Sequence, residues 1–449
     1  MLQPANWWMC WHIATHGMAM ILKITAAGPG TLDTENPREG AANWRATEDL
    51  AGGTPGRPNS VATPNPDLTP PQVQQLWMPD SLHLHIRYSE ALDTVQATKP
   101  AHYNASGGIG EPLRVWGKNL AQNEFVLEFA RPATSNTLYE LDIAQAVQDY
   151  AGHSLAVSGA VPFAFPVRPQ PGDVLINEVL FNPYPDGADF VELYNAGEYP
   201  VDLGALYLAQ KDEKGGISDY TALAPRGMAL FPGAYWVASP VPESVLAQYP
   251  GPRSGQLQEV DLPSMPDDEG HIALILRNGQ SLEAFRYTAD MHYPLLADAE
   301  GVSLERVHFS LPAADAASWH SAAASAGYAT PAAQNSQFQA PENEAENFTI
   351  EPKIFSPDQD GKDDFAYIHY TLDEPGYVMN ISIYDENGRL VRNLVKNELP
   401  GTQGQFLWDG ADNAGQRVGI GIYVVFIELF AADGEVKYFK KPCVVARRL

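Results

Sequence analysis

Residues 379–388, MNISIYDENG, decide the fold class of this 449-residue chain. Apolar and polar residues alternate through the first half of the stretch, and a period of two is typical of a β-strand with one buried face. Asn387-Gly388 follows directly, and this dipeptide is a strong signal for the tight turn of a β-hairpin. The stretch therefore predicts a strand that enters a hairpin.

The same alternation recurs along the chain from about residue 70 onward. Four residues are expected on the buried face of one such strand: Leu82, Leu84, Ile86 and Tyr88. Ala432-Asp433-Gly434 predicts a second hairpin, and the 37 Gly and 37 Pro residues supply turns between short strands. We find no helical pattern longer than two turns. The predicted fold class is all-β, with several sandwiches in a row.

Linker composition divides the chain into parts. Residues 165–172 and 62–71 are rich in proline and therefore stiff, whereas residues 339–346 are acidic and expected to be extended. Ig-like β-sandwich domains joined by these linkers are the expected architecture. The predicted parts are residues 1–60, 61–170, 171–338 and 347–449.

The charge balance restricts the classes of partner. The chain carries 28 Lys+Arg and 55 Asp+Glu, a formal net charge of −27. Acid is concentrated in residues 173–340, where we count 7 basic and 22 acidic side chains, a net charge of −15. Because we find no basic patch, nucleic acid and anionic membranes are disfavoured as partners. With 45% hydrophobic and 18% charged residues, the chain is expected to fold around true cores.

Cysteine usage and hydropathy exclude further classes. Cys10 and Cys443 lie at opposite ends of the chain, which excludes a disulfide framework and a cysteine-based zinc site. No run of about 18 apolar residues exists, so no membrane span is predicted. Residues 1–24 lack the basic start and the apolar core of a signal peptide.

An internal repeat links the start of the chain to its middle. The pattern Trp…Thr-Pro-x-x-x-Asn-Ser occurs at residues 44–60 and again at residues 319–336. We therefore expect residues 1–60 to be a truncated remnant of a second copy of the middle domain, with residues 1–27 non-native or incomplete. The copies differ after Thr-Pro, where the first has Gly56 and the second has Ala332.

Three motifs carry a family resemblance for the middle of the chain: INEV at 176–179, DFVELYN at 189–195 and SLER at 303–306. Together with the Trp319 to Ser336 ending, they make residues 172–337 similar to the bacterial lamin tail domain. The resemblance implies an Ig-like β-sandwich. Lamin tail domains in bacteria often accompany secreted nucleases or phosphoesterases.

The flanking parts resemble two other families. Residues 68–166 resemble a bacterial Ig-like domain of the adhesin type, through YSEALD at 88–93 and YELDI at 139–143. Residues 347–449 resemble the Ig-like domain of flagellar hook-capping proteins, in the form found in secreted Bacteroidetes proteins. The motifs that carry this second resemblance are FSPDQDG at 355–361, WDG at 408–410 and GIY at 421–423. It implies an extracellular or cell-surface protein, exported by the type IX route with its C-terminal domain as the address.

An acidic loop is the sharpest candidate for a ligand site. Asp358, Asp360, Asp363 and Asp364 place four carboxylates within seven residues around Gly361. Carboxylate oxygens are the ligands that Ca²⁺ prefers, although the spacing is not that of an EF-hand. The alternative is an Asp/Gly turn whose side chains accept backbone N–H groups. Ca²⁺ is the single cofactor that the sequence suggests.

Two other side-chain pairs favour structural roles. Glu178 and Glu192 lie in apolar strands, where carboxylates that hydrogen-bond neighbouring loops are expected rather than a catalytic pair. His83 and His85 share a strand face, as a zinc pair would, but no third ligand is identifiable nearby. Nucleophile-elbow, P-loop and zinc-hydrolase motifs are absent from the sequence.

These observations predict a non-catalytic, secreted or surface-attached protein that serves adhesion, anchoring or ligand presentation. The expected partner is an extracellular polymer, either glycan or protein. One set of aromatic residues offers a carbohydrate platform or fills the middle core: Tyr184, Tyr194, Tyr220, Tyr235 and Trp236. The alternative function is an accessory binding region of a secreted hydrolase, a nuclease or phosphoesterase, whose catalytic domain precedes residue 1.

Overall fold

The computed structural model describes residues 68–156, 159–212, 214–251, 256–294, 296, 298–339 and 347–447, with residues 49 and 60 and the backbone of 20–22 and 44–46. The predicted remnant at residues 1–60 therefore lies almost wholly outside the described residues. Two compact units divide the chain: residues 1–167 with 227–229, and residues 168–226 with 230–449. In the described part, strands dominate and no helix is long and apolar enough to cross a bilayer.

The first unit contains a sandwich of two antiparallel sheets. Its strands are β1 (Met20–Leu22), β2 (Trp44–Ala46), β3 (Val73–Trp77), β4 (His83–Tyr88), β5 (Tyr103–Ala105), β6 (Arg114–Gly117), β7 (Glu124–Glu128), β8 (Tyr139–Ile143) and β9 (Val161–Phe163). One sheet has the order β3-β4-β7-β6 and the other β5-β8-β9, while β1 pairs with β2. A single turn of helix, α1 (Thr94–Ala97), is capped by the Asp93 carboxylate.

Strand β4 starts one residue later than the alternation predicts. Leu84, Ile86 and Tyr88 are fully buried, but Leu82 lies before the strand and is 36% exposed. The cause is local: the Asp80 carboxylate accepts the N–H groups of Leu82 and His83 at 2.9 and 3.0 Å. This turn delays entry into the sheet.

The second unit begins with the middle domain, residues 168–339. Its strands are β10 (Val174–Leu180), β11 (Phe190–Asn195), β12 (Val201–Asp202), β13 (Leu206–Lys211), β14 (Ile217–Ala222), β15 (Ala229–Leu230), β16 (Tyr235–Ser239), β17 (Gln256–Glu259), β18 (Glu269–Leu276), β19 (Ser281–Thr288), β20 (Leu304–Arg306) and β21 (Trp319–Ser321). Its helix is α2 (Pro242–Gln248). The larger sheet has the order β17-β16-β11-β10-β20-β21, and the second has the order β14-β13-β18-β19.

Strand β10 occupies the interior of the larger sheet, and all seven of its residues are buried. Five of them are apolar, as expected for a strand covered on both faces. The other two are Asn177 and Glu178, and both have no exposed surface. A buried amide and a buried carboxyl group need hydrogen-bond partners, so their surroundings must be built to receive them.

The C-terminal domain, residues 347–447, completes the second unit. Its strands are β22 (Asn347–Glu351), β23 (Ile354–Phe355), β24 (Ala366–Thr371), β25 (Val378–Asp385), β26 (Leu390–Glu398), β27 (Gln403–Trp408), β28 (Gly421–Phe430) and β29 (Val436–Val445). Sheets of order β22-β24-β27 and β23-β29-β28-β25-β26 enclose the core. Both predicted hairpins are confirmed, at β25–β26 and at β28–β29.

Trp408 fills the centre of this core. The indole ring is fully buried and lies edge-on to Phe355 and Tyr423, at centroid distances of 5.3 Å each. Its N–H donates to the carbonyl of Ala411 at 3.0 Å, so Asp409-Gly410 turns the chain directly behind the ring. The indole thus joins both sheets to the following loop.

We expect Trp408→Ala to lower the free energy of unfolding of the C-terminal domain by about 3–5 kcal/mol, because a large cavity replaces the ring. Hydrogen exchange of the β28 and β29 peptides in the full chain, measured by mass spectrometry, reports this change. Leu407→Ala is the matched control, since Leu407 is adjacent and 43% exposed. Equal protection in the two variants would contradict the assignment of Trp408 as the central core residue.

Candidate functional site

The acidic loop follows the short strand β23. Its backbone turns tightly, with the N–H of Ser356 donating to the carbonyl of Asp363 at 2.8 Å. Gln359, Gly361 and Asp363 all have positive φ angles, of 65°, 90° and 50°. This left-handed backbone brings side chains from both ends of the loop to one place.

Three of the four predicted ligands come together. Carboxylate oxygens of Asp358, Asp360 and Asp364 all lie within 4.8 Å of one another. The side chain of Asp363 lies outside this group, because that residue turns the backbone and contributes its carbonyl to Ser356 instead. In the part of the chain that the structure describes, this is the one group of three such side chains spaced closely enough for a metal ion.

The same carboxylates also brace the loop. Asp364 accepts the N–H of Gly361 at 2.8 Å, and Asp360 accepts the N–H of Lys362 at 2.9 Å. Asp358 accepts the N–H of Asp360 at 3.3 Å. The geometry therefore serves both interpretations from the sequence, since oxygens that hold a turn retain lone pairs for a cation.

His83 and His85 have separate partners. The Nδ1 atom of His83 lies 2.9 Å from the Asp80 carboxylate, whereas that of His85 lies 3.2 Å from the Lys118 ammonium. Burial, and then the charge of Lys118, lower the pKa of His85 to about 4. The two imidazoles therefore contact different groups, His83 a carboxylate and His85 an ammonium.

The middle domain contains a cluster of buried acids, the carboxylate cluster, made of Glu178, Glu192 and Glu305. Glu178 on β10 lies in register with Glu192 on β11 and with Glu305 on β20, so all three side chains share one face of the sheet. None of the three has any exposed surface. Arg306, the buried cation next in sequence, pairs with Glu283 at 2.8 Å.

The carboxylate cluster binds the closing segment, residues 330–337, TPAAQNSQ. Glu178 accepts the N–H of Thr330 at 2.8 Å, and Glu192 accepts the N–H of Ala332. Glu305 accepts the N–H of Gln337 at 2.8 Å. The expectation that Glu178 and Glu192 hydrogen-bond a neighbouring loop is confirmed by these contacts.

Side chains of the closing segment complete the network. The hydroxyl of Thr330 donates to Glu305 at 2.7 Å, and that of Ser336 donates to the same carboxylate at 2.8 Å. The Asn335 amide donates to the carbonyls of Asn177 and Arg306 at 3.0 and 2.9 Å. The closing segment therefore supplies most of the donors to the buried acids, and the Ser303 hydroxyl and the Asn177 amide supply the others, to Glu178 and Glu192.

Glu305 and Asn335 both belong to sequence motifs of the middle domain, but the sequence alone does not indicate that they share one site. The sequence feature that points to this site is the repeated ending, which occurs together with one acid in each of three apolar strands: INE, VEL and LER. A carboxylate in such a strand needs donors, and the ending offers the hydroxyl and amide side chains of Thr330, Asn335 and Ser336. The local sequence does not specify which acid meets which donor.

Two tyrosine pairs lie in different sheets, so the aromatic residues of the middle domain do not form one platform. Tyr194 packs on Tyr235 in the larger sheet at 4.9 Å, while Tyr220 packs on Tyr207 in the other sheet at 6.0 Å. Trp236 is fully buried and belongs to the core. The carbohydrate platform considered from the sequence is therefore divided between two surfaces and the interior.

A cleft of about 420 Å³ lies beside the closing segment, where the C-terminal domain meets the middle domain. Its lining offers hydroxyl and amide groups, including those of Tyr249, Ser325, Gln334, Tyr370 and Gln403. Among its described lining residues there is no carboxylate, imidazole or thiol. Such a lining can form hydrogen bonds with a neutral ligand but offers no ordinary general base.

Burial dominates the electrostatics of the carboxylate cluster. It raises the pKa of Glu178 to about 8, and the neighbouring charge of Glu305 adds to the effect. Burial, reinforced by Glu178, likewise raises the pKa of Glu192, and burial raises that of Glu305. The folded middle domain therefore holds protons that the unfolded chain releases at neutral pH.

We expect the free energy of unfolding of the middle domain to fall as the pH rises from about 4.5, the ordinary glutamate value, to about 8. The sign follows from the raised pKa, because the folded state binds more protons than the unfolded state in this range. Scanning calorimetry of the full chain across these pH values measures the change, and Glu178→Gln should reduce its slope. Glu198→Gln, at an exposed position of the same domain, is the control. An identical slope in wild type and Glu178→Gln would contradict this interpretation.

Comparison with known proteins identifies two of the domains. The family model described as Lamin Tail Domain matches residues 168–289, and the model described as FlgD Ig-like domain matches residues 356–431. The motifs INEV and DFVELYN lie in the first match, and the acidic loop lies in the second. No curated protein matches the chain.

Alignments with solved structures are loose. The N-terminal part of the bacterial S-layer protein SbsC is 12% identical over 49% of this chain and 44% of its own, with a TM-score of 0.20. Domains 1–6 of the surface layer protein SbsC are 10% identical over 85% of this chain and 55% of that chain, with a TM-score of 0.20. A tetra-tandem repeat in the extending region of a large adhesion protein is 10% identical over 84% of this chain and 74% of that chain, with a TM-score of 0.14.

The chain spans about half the length of the S-layer chains that it matches. TM-scores this low do not establish a shared fold. The family matches do not depend on these alignments. The chain therefore contains a lamin tail domain, matched over residues 168–289, and a FlgD Ig-like domain, matched over residues 356–431.

Proposed function

We propose that this protein is a non-catalytic extracellular or cell-surface protein that presents its loops to an extracellular polymer, for adhesion or anchoring. In this proposal the C-terminal domain also supplies the export or attachment signal that its resemblance to hook-capping Ig-like domains implies. The observation that carries the proposal is the built junction between the lamin tail domain and the C-terminal domain. A junction of this kind holds the two domains in a fixed mutual orientation, which supports the joint presentation of loops from both domains.

The domain junction consists of residues 323–339 against residues 398–404. Main-chain bonds join Ala324 to Leu399 at 2.9 Å and Thr402 to Ser336 at 2.9 Å. The Gln337 amide donates to the carbonyl of Pro400 at 3.2 Å. Because Ser336 and Gln337 are also held by Glu305, the junction is anchored in the buried carboxylate cluster.

Buried side chains of the kinds that enzymes use as acids or bases form structural hydrogen bonds in the described domains. Glu178 and Glu192 hold the closing segment, and His292 is buried with its Nδ1 atom 3.0 Å from the Ser321 hydroxyl. Burial lowers the pKa of His292 to about 4. These features support a binding role for the described domains over the alternative in which they contribute to hydrolysis.

A glycan array and a panel of immobilised extracellular proteins, each probed with the full chain, test the proposal. We expect saturable binding to at least one polymer and no hydrolysis of DNA, RNA or phosphomonoesters. An acidic protein should bind neutral polymers in preference to polyanions, so binding should persist at high salt. Absence of binding on both surfaces, or hydrolysis by the purified chain, would contradict the proposal.

We also propose that the acidic loop binds Ca²⁺ through Asp358, Asp360 and Asp364. The proximity of three hard oxygen ligands supports this assignment, and the partly exposed position leaves room for water to complete the coordination. Affinity of order 10⁻⁴–10⁻³ M is expected, as in other extracellular modules. Because the carboxylates already brace the loop, the fold should persist without the ion.

Calorimetric titration of the full chain with Ca²⁺ measures this binding. We expect the heat to disappear in the Asp360→Asn/Asp364→Asn double variant, because two of the three charged ligands are lost. Asp433→Asn should leave it unchanged, since Asp433 is an exposed hairpin residue of the same domain outside the acidic loop. No heat with wild-type protein at millimolar Ca²⁺ would contradict the assignment and leave the loop as a turn.

A further inference from the structure

Strand β27 is an edge strand without the usual protection. It forms one edge of the three-stranded sheet of the C-terminal domain. An edge strand presents unpaired N–H and C=O groups, and natural proteins block such edges with charged side chains, proline or bulges. The sequence of β27, QGQFLW, contains no charged residue and no proline, and its six residue pairs with β24 follow one another without a bulge. The strand therefore lacks the features that prevent pairing with a further strand.

An edge strand of the other sheet in the same domain has the protection that β27 lacks. Strand β26 pairs with β25 through three register irregularities, and it carries the cationic side chains of Arg392 and Lys396. Bulges and cationic side chains both discourage pairing with another chain. The C-terminal domain thus blocks this edge and leaves the β27 edge open.

The hydrogen-bond pattern shows which main-chain groups of β27 face outward. The N–H of Leu372 donates to the carbonyl of Thr402 at 2.7 Å, so these two opposite residues form a hydrogen-bonded pair of the antiparallel ladder. Because such pairs alternate with pairs that are not hydrogen-bonded, the even-numbered residues of β27 bond to β24 and the odd-numbered ones do not. The main-chain groups that point away from β24 therefore belong to Gln403, Gln405 and Leu407.

These outward groups are accessible to a partner. All three residues are exposed, Leu407 by 43%. In the described part of the chain, no other segment forms a main-chain hydrogen bond with any of the three. The outward N–H and C=O groups recur every second residue, which is about 6.8 Å along a strand. This repeat is that of an extended peptide backbone that pairs along the edge.

The closing segment already binds at the start of this edge. The N–H of Thr402, the residue before β27, donates to the carbonyl of Ser336 at 2.9 Å. The Thr402 hydroxyl donates to the carbonyl of Phe338 at 2.8 Å. Main-chain carbonyls of an adjoining segment are thus received at the first position of the edge, and the open positions of β27 continue directly from this contact.

The cleft of about 420 Å³ lies along the same end of β27. Gln403, Gly404 and Gln405 form part of its lining, together with Tyr249 and with Gln334 of the closing segment. Its volume lies within the range of about 300–1,000 Å³ that is usual for ligand sites. None of its described lining residues is charged, although the chain as a whole carries a formal net charge of −27. The cleft therefore suits a segment with uncharged side chains.

We infer that β27 binds an extended, uncharged peptide segment of a partner protein, which adds a fourth strand to the sheet β22-β24-β27 and enters the cleft. Main-chain hydrogen bonds to Gln403, Gln405 and Leu407 supply the affinity, and the amide and hydroxyl groups of the cleft select side chains. The inference rests on the proposed function and identifies its extracellular polymer as a protein.

Selection of a random heptapeptide phage library on the full chain, followed by fluorescence anisotropy with a selected synthetic peptide, tests the inference. We expect saturable binding of a largely uncharged peptide, and loss of binding when every amide of that peptide is N-methylated, because methylation removes the donors of the added strand. Hydrogen exchange measured at residue resolution is the second readout. The peptide should slow exchange of the N–H groups of Gln403, Gln405 and Leu407 at least about 10-fold.

Gln405→Pro should weaken peptide binding at least about 10-fold, because proline removes an outward N–H group and its ring obstructs the edge. The ladder bonds between β27 and β24 do not use this N–H, so the fold should persist, and thermal unfolding verifies this. Glu386→Pro is the matched control, since Glu386 is exposed in the β25–β26 hairpin turn of the same domain, and it should leave peptide binding unchanged.

Failure of the library to yield a peptide, or a peptide that binds Gln405→Pro or binds in its N-methylated form as tightly as before, would overturn the inference. A dimer of the full chain that Gln405→Pro abolishes, seen by sedimentation velocity, would assign the edge to a second copy and also overturn it. In each of these cases saturable binding on the glycan or protein array would leave the proposed function standing, whereas absence of all array binding would contradict that function itself.

Discussion

The second unit depends on three buried carboxyl groups that accept the backbone N–H groups of the closing segment. Removing the segment would take every side-chain and main-chain donor described here from Glu305, and would leave Glu178 and Glu192 with only the Ser303 hydroxyl and the Asn177 amide. Each buried group left unsatisfied costs about 1–3 kcal/mol or more. Ala329 and Ala332 belong to the same apolar cluster as Phe190 and Val237, so the segment also covers the core. The other side of the segment forms the junction with the C-terminal domain. One set of hydrogen bonds therefore closes one domain and positions the next.

This constraint fixes the spacing of the closing segment in the middle domain. Donors at fixed positions must meet three acids that lie on separate strands, so the spacing of the ending cannot drift. Ala332 has a φ of 63°, in the left-handed region that favours glycine, and the first copy has Gly56 at this position. The glycine variant of the motif is thus the one that the backbone prefers.

Sequence patterns predicted the strands and hairpins because these depend on neighbours within about ten residues. The sequence predicts structural roles for Glu178 of β10 and Glu192 of β11, because apolar residues surround each carboxylate, but it makes no such prediction for Glu305 of β20. Their donors were not identified, because Glu178 and Thr330 are 152 residues apart and the pairing is set by sheet order. The sequence identifies all four aspartates of the acidic loop as candidate ligands. It does not predict the turn at Asp363, where φ is 50° and the side chain lies outside the group of three. The domain junction has no signal in the sequence, since it rests largely on main-chain groups.

The formal charge of the middle domain overstates its acidity at neutral pH. Burial raises the pKa values of the carboxylate cluster, and burial reinforced by Asp267 raises the pKa of Asp189 to about 7. Part of the −15 counted from residues 173–340 therefore consists of protonated, neutral groups at pH 7. The folded chain thus carries a smaller negative charge at pH 7 than the formal −27, and this charge grows as the buried groups ionise at higher pH.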